Sequence, residues 1–374
     1  MMSRTLHRAV TPALALSSAF ALALAFALAL TLGCDSGSPL QSGDVPDPLP
    51  PGAPGTWQDL ELTSGFVHVE ALASWNGQLL AGGTFYGVQN QFSTSLASWN
   101  GATWTRLGPS FGSSVSAITV YQGNLTVGGG FPHVNGDTLR YVASWDGSTW
   151  RPFGVGLNRA ATSLAVYNGD LIAAGLFDQA GGATANYVAR WDGTAWHPLA
   201  GGLDGPVWTL AVHGGALIAG GSFTKADGAP APGIASWNGA SWSTLAGGVD
   251  GTVYALASHG DSLIVGGGFT TAGPVPAYHV AKWNGAQWDS LGAGLGAFSY
   301  EYVKALTFDA DTLVAGGTFP GATRRWRGGA WEAFPPLDGY VNALTTHDGW
   351  LIAGGYFPRT GGQWANGIAR WVRP

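Results

Sequence analysis

One cysteine, Cys34, occurs in the 374 residues, so no disulfide can close within the chain. Lysine occurs three times, as Lys225, Lys282 and Lys304, and glutamate four times, as Glu61, Glu70, Glu301 and Glu332. Charged residues make up 10% of the chain and the formal net charge is −6. So few basic groups leave no electrostatic footprint for nucleic acid, and none for adsorption to an anionic membrane surface. No phosphate loop and no zinc signature is present, and neither a cofactor nor a metal is expected. Beyond the N-terminal stretch, apolar residues nowhere recur at helical spacing, which excludes a helical body.

What the chain does have is 60 glycines and 18 tryptophans. That composition suits many short strands joined by tight turns. At the front, Arg4 and Arg8 precede an uncharged stretch, Ala9 to Leu32, made mostly of Ala and Leu. This reads as an export signal over residues 1–33; its length leaves a retained membrane anchor open as the alternative. Flanking positive charge puts the first residues in the cytoplasm under either reading, and the rest of the chain outside. Cys34 directly follows Leu30-Thr31-Leu32-Gly33. The segment resembles a bacterial lipobox, with Thr31 where that family prefers Leu. The resemblance implies a lipid on Cys34 and a place in the bacterial cell envelope, on the periplasmic face of the outer membrane or at the cell surface. Residues 34–54, rich in Asp, Ser, Gly and Pro, would then be a solvated tether.

From Gly55 onward the chain repeats itself. A phenylalanine closing one strand-like run recurs as Phe85, Phe131, Phe177, Phe223, Phe269, Phe319 and Phe357, seven units in all. Each unit holds four such runs. The second carries a glycine pair, as in Gly220-Gly221, that lets neighbouring backbone approach closely. The third ends and the fourth begins in Trp, as in Trp191 and Trp196, around a short turn. Four strands at a period near 46 residues predict an all-β, single seven-bladed β-propeller over residues 55–374, with four-stranded antiparallel blades. Unit seven stops at Trp371, short of its fourth run, and the matching piece stands in front as Gly55-Thr56-Trp57-Gln58-Asp59-Leu60. The N-terminal strand is therefore expected to complete the last blade and close the ring. The Gly-Gly-x-Phe strand followed by Trp-Asp/Asn-Gly-x-x-Trp resembles kelch-type propellers. It is more similar still to repeats of bacterial surface proteins and of a fungal cortical polarity marker family. That resemblance covers the chain from Gly55 and implies the fold, not a chemistry.

Catalytic signals are sparse. Galactose oxidase has a kelch-like propeller whose copper site uses a crosslinked cysteine, and Cys34 lies outside the repeats. Ser144 to Trp150 is one residue short of a sialidase Asp-box, so Asp146 and Gly147 read as turn formers. His213, His259 and His347 share one repeat position that is elsewhere Trp75, Tyr121, Tyr167 and Asp309, which suits an aromatic-or-His position better than a metal site.

Comparing the units with one another yields a better candidate. One position in the innermost run varies freely between fixed neighbours: Glu70, Ser116, Thr162, Trp208, Tyr254, Lys304 and Asn342. These seven are expected at the mouth of a central funnel, unless they are merely unconstrained by packing. Arg140 and Tyr141, in a loop on the same face, join them. So does a lengthened connection before unit six bearing Tyr300, Glu301 and Tyr302, beside a loop shortened to Pro320-Gly321-Ala322. Aromatic faces beside a few polar groups suit sugar or peptide recognition. The expected function is that of a monomeric, lipid-anchored binding module for a protein or glycan. A carbohydrate-active enzyme using Glu70 or Glu301, and a purely structural envelope protein, are the alternatives.

Overall fold

The computed structural model describes residues 55–373, apart from 63, 64, 66, 89–93, 109, 135, 136, 297 and 361. Cys34 and the expected export segment and tether lie outside the described residues. Among those described, no helix is long and apolar enough to cross a membrane.

The fold is all-β: seven four-stranded antiparallel sheets, each a blade of a β-propeller. Blade 4 is representative, with strands Val207–His213, Ala216–Gly221, Ile234–Trp237 and Trp242–Thr244 in that order from the axis outward. Each innermost strand packs against the next, and the last, Tyr340–His347, packs against the first, Val67–Trp75. In blade 7 the outermost strand is Thr56–Asp59, paired antiparallel with Ile368–Val372 in the register Trp57↔Trp371. The expected closure is the one observed.

Both the glycine pair and the tryptophans have definite jobs. The first glycine of a pair faces the next blade: a Cβ on Gly266 would stand 2.5 Å from Val303 Cγ1, and one on Gly316 2.6 Å from Val341 Cγ1. The second faces backbone within its own blade: a Cβ on Gly267 would be driven into the carbonyl oxygen of Thr252. The paired tryptophans of strands three and four pack on one another in all seven blades, with centroids 5.2 Å apart for Trp283–Trp288 and 5.4 Å for Trp57–Trp371. Five fourth-strand indoles also reach into the preceding blade. Trp242 Nε1 donates to Leu199 O at 2.9 Å, and Trp104, Trp196, Trp288 and Trp331 donate in the same way. Trp57 and Trp150 keep the ring packing, but their buried Nε1 finds no acceptor.

This difference makes a prediction. Trp242→Phe removes one of the two donors to the Leu199 carbonyl, which keeps Gly202 N at 3.1 Å, at a cost of about 0.5–1.5 kcal/mol. Trp150→Phe removes an N–H that is already unmatched and costs less. Urea midpoints of the two variants measure the difference; equal shifts would show that the indole bond contributes nothing.

Second-to-third-strand hairpins stand on the face where the inner strands begin. Such two-stranded hairpins occur on blades 2, 3, 4, 5 and 7 among the described residues. On blades 3, 4, 5 and 7 they pair through isolated bridges with the connection entering the same blade, as in Leu203↔Ala226. On blade 6, Gly317 is followed by a tight turn into Thr323–Arg327, and the wall there is low.

Candidate functional site

A β-bulge interrupts the inner strand of each blade. In blade 5, Val253 pairs with Gly267 and Ala255 with Gly266, so Tyr254 is the extra residue opposite the joint of the glycine pair. The same shift singles out Glu70, Ser116, Thr162, Trp208, Lys304 and Asn342 in the other blades. Every freely varying position of the repeat is thus a bulge residue. A bulge re-aims one side chain out of the pleat, and repeated seven times it directs seven side chains at the axis. Together they line a funnel of about 560 Å³, joined by His68, Tyr302, Thr318 and Tyr340. Below it a channel of about 220 Å³ runs between the inner strands, with Ala71, Ala117 and Leu164 among its lining residues.

The funnel wall is unequal around the ring. Blades 2 and 3 contribute only Ser116 and Thr162, while blades 4 to 7 carry an aromatic arc. Trp208 lies 6.2 Å from Tyr254 by ring centroid, and Tyr254 5.3 Å from Tyr302. Lys304 Nζ stands over Tyr254 at 5.1 Å and over Tyr302 at 5.5 Å. Beyond it, His68 meets Tyr340 edge-on at 5.9 Å.

Neighbouring blades hold these groups in place. Thr162 Oγ1 donates to Val207 O at 2.6 Å, and Asn342 Nδ2 to Val69 O at 3.1 Å. Ser116 Oγ donates to Glu70 Oε2 at 2.5 Å, and His68 Nδ1 lies 3.7 Å from Glu70 Oε1. Trp208 Nε1 donates to Ser222 Oγ at 2.8 Å. Burial raises the pKa of the Tyr254 and Tyr340 hydroxyls above the usual phenol value. It lowers that of the Lys304 ammonium, an effect the Glu70 carboxylate opposes.

The remaining expected residues are placed differently. Tyr302 lines the funnel. Tyr300 is 68% exposed, stacks on Phe298 at 5.2 Å, and accepts from Thr318 Oγ1 through its carbonyl, at the rim. Glu301 corrects the expectation of an exposed carboxylate. It is 4% exposed, and its Oε2 accepts from Phe298 N at 3.1 Å, bracing the loop from inside. Arg140 and Tyr141 have left-handed φ angles of 47° and 73°. Tyr141 N donates to Phe131 O and Arg140 O accepts from Leu157 N, so the pair shapes the blade 2 loop before its third strand and ties it to the connection entering blade 3, off the funnel wall.

His68, Tyr340 and Thr318 escaped the sequence comparison. His68, Tyr302 and Tyr340 share a position two residues before the bulge residue, which is small in other blades (Ser114, Ala160). The same unit-by-unit comparison, moved two residues, contains that signal. Of the three aligned histidines, His213 and His347 bond Ser258 and Ser74 of the next blade through Nδ1, at 2.9 and 3.0 Å, while His259 stacks on Phe308 at 4.3 Å. Asp146 Oδ1 accepts from Ser148 N and Thr149 N, which is a turn former's role. Among the described residues no group of three or more His, Cys, Asp or Glu is placed to hold a metal.

A family model described as a domain of unknown function, DUF5122 beta-propeller, matches residues 347–370. No curated protein matches the chain. Among solved structures, the chain is similar to the extracellular domain of a candidate one-component system from B. thetaiotaomicron. The TM-score is 0.59 at 9% identity, covering 85% of this chain and 40% of that one. The extracellular domain of a candidate hybrid two-component system from the same organism matches with TM-score 0.56 at 9% identity, covering 86% and 40%. The chain thus spans well under half the length of these two. The WD40 propeller domain of Doa1 matches with TM-score 0.52 at 12% identity, covering 85% of this chain and 96% of that one. At these identities the likeness concerns the fold: this chain is a seven-bladed β-propeller.

Proposed function

We propose that the chain is an exported binding propeller, tethered by a lipid on Cys34, that takes the end of a glycan into the funnel without turning it over. The observation that carries this reading is the convergence of all seven bulge residues on one concave site, aromatic along one side and small and polar along the other. The rings of Trp208, Tyr254 and Tyr302, with successive centroids 6.2 and 5.3 Å apart, can pack on sugar faces. Asn342, Thr162, Ser116 and Glu70 offer donors and acceptors for hydroxyls. The volume lies within the usual range for small-ligand sites. Glycoside hydrolysis ordinarily needs a pair of carboxylates, and the funnel wall holds one, Glu70. The two similar B. thetaiotaomicron structures are extracellular domains, in keeping with a body that works outside the cytoplasm.

The test is a glycan array followed by calorimetry on hits. Trp208→Ala and Tyr254→Ala should each weaken binding about ten-fold or more, as removal of a stacking ring does, with no product formed on prolonged incubation. Release of reducing ends that Glu70→Gln abolishes would support the enzyme reading instead. An array without hits, and a funnel whose substitution changes nothing, would support a structural role.

A further inference from the structure

We propose that the glycan bound in this funnel is acidic, carrying a carboxylate on a sugar seated against Lys304. This rests on the glycan reading and narrows it. Two cations of blade 6 prompt the inference. Lys304 projects into the funnel, and its ammonium lies over two tyrosine rings with no carboxylate within ion-pair distance among the described residues. Arg324, on the third strand of the same blade, is half-buried over Phe319 at 5.7 Å, and its Nη1 donates only to the adjacent Thr323 carbonyl, at 2.8 Å.

Arg324 is conspicuous by position. It pairs with Ala315 on one side and Ala333 on the other, the place held by Ala97, Ala143, Ala189, Ala235, Ala281 and Ala369 in the other six blades. Six blades bury a methyl group there, and one holds a guanidinium. Withdrawing a cation from water is unfavourable, and burial lowers the pKa of both groups; the Glu70 carboxylate opposes this at Lys304 from beyond ion-pair distance. Nearby acids are otherwise engaged: Glu332 with Arg325 at 2.8 Å, Asp309 with Arg373, and Glu301 with the Phe298 amide. Glu70 is held by Ser116 on the blade 1 side of the funnel.

Both cations belong to the blade whose wall is low. A chain leaving the funnel there would cross the blade that carries both. A neutral sugar needs the aromatic arc but neither cation. A carboxylate-bearing sugar uses the arc and Lys304 together, its ring face on Tyr254 or Tyr302 and its carboxylate on the ammonium between them. One acidic wall residue, Glu70, in the same funnel favours a singly charged group over a doubly charged one.

The experiment is an array of uronic-acid glycans printed beside their methyl esters and beside sulfated neutral glycans, with affinities of the hits measured by calorimetry. The acid should bind at least about ten-fold tighter than its ester, as expected for one charge-assisted contact in a partly desolvated site. Lys304→Met should erase that preference and Lys304→Arg retain it; circular dichroism verifies that each variant is folded. Equal binding of acid and ester, with Trp208→Ala still abolishing both, would overturn the acidic assignment and leave the glycan reading standing. Stronger binding of sulfated glycans would overturn the choice of carboxylate. Binding of no glycan at all would overturn both.

Discussion

Gly267→Ala is expected to lower stability by about 3 kcal/mol, the upper end for an overpacked interior, and to abolish ligand binding. The added Cβ would meet the Thr252 carbonyl oxygen, together with the Thr252 carbonyl carbon and Val253 Cα at 3.0 Å. All three atoms are backbone, so no rotamer change relieves the contact; the strand itself must move. That strand carries the bulge at Tyr254, so the displacement falls on the funnel wall at the centre of the aromatic arc. Gly260→Ala is the control. Its φ of 54° disfavours a side chain, yet no atom lies within 4 Å of the added Cβ, and a cost of about 1 kcal/mol with normal binding is expected. Denaturant midpoints at unchanged slope measure the stabilities, and calorimetry the binding. If Gly267→Ala binds normally, the glycine pair does not position the bulge.

Much of this was legible in the sequence, because each repeat states the same constraints again. Phe85 and its six equivalents count the blades, and Trp57 set against Trp371 reveals the closure. The seven variable positions were recognisable because fixed packing on either side makes variation conspicuous. What remained hidden was why they vary: a bulge shows no composition of its own, and it recurs opposite Ala174-Gly175 in blade 3 as it does opposite a glycine pair in the others. Glu301 shows the opposite limit. In a lengthened loop between exposed aromatics it reads as a presented carboxylate. Its inward turn depends on the Phe298 amide three residues earlier, a local bond that no repeat comparison can detect. In the sequence Arg324 stands beside Arg325 and near Arg327, and only strand register separates it from them. Arg325 has Glu332 as a partner, whereas Arg324 stands in an alanine's place. The proposed recognition rests on residues unique to one blade, and they are the ones that averaging over repeats discards.

Deleting residues 55–60 should cost more still, about 5 kcal/mol or more, since the deletion removes a buried tryptophan, worth about 3–5 kcal/mol by itself, together with a strand. Trp57 is 5% exposed and packs between Phe334, at 5.6 Å, and Trp371, at 5.4 Å. Its carbonyl accepts from Thr360 Oγ1 at 3.1 Å, and Leu60 N donates to Ile368 O at 3.2 Å. Without the strand, Ile368–Val372 becomes an unpaired edge, and the truncated protein should aggregate as well as unfold early. Because such a variant can fail for many reasons, its rescue is the decisive measurement. In blade 3 the pair Trp191↔Trp196 is joined by Asp192-Gly193-Thr194-Ala195, and the register Trp57↔Trp371 has the same geometry. Attaching Trp57-Gln58-Asp59-Leu60 after Trp371 through Asp-Gly-Thr-Ala, in a chain that lacks residues 55–60 and 372–374, supplies the missing strand from the other end. That chain should recover most of the lost stability and should bind ligand as the parent does, because only the connectivity has changed. A rescued chain no more stable than the deletion would show that Thr56–Asp59 stabilises the ring by some route other than completing blade 7.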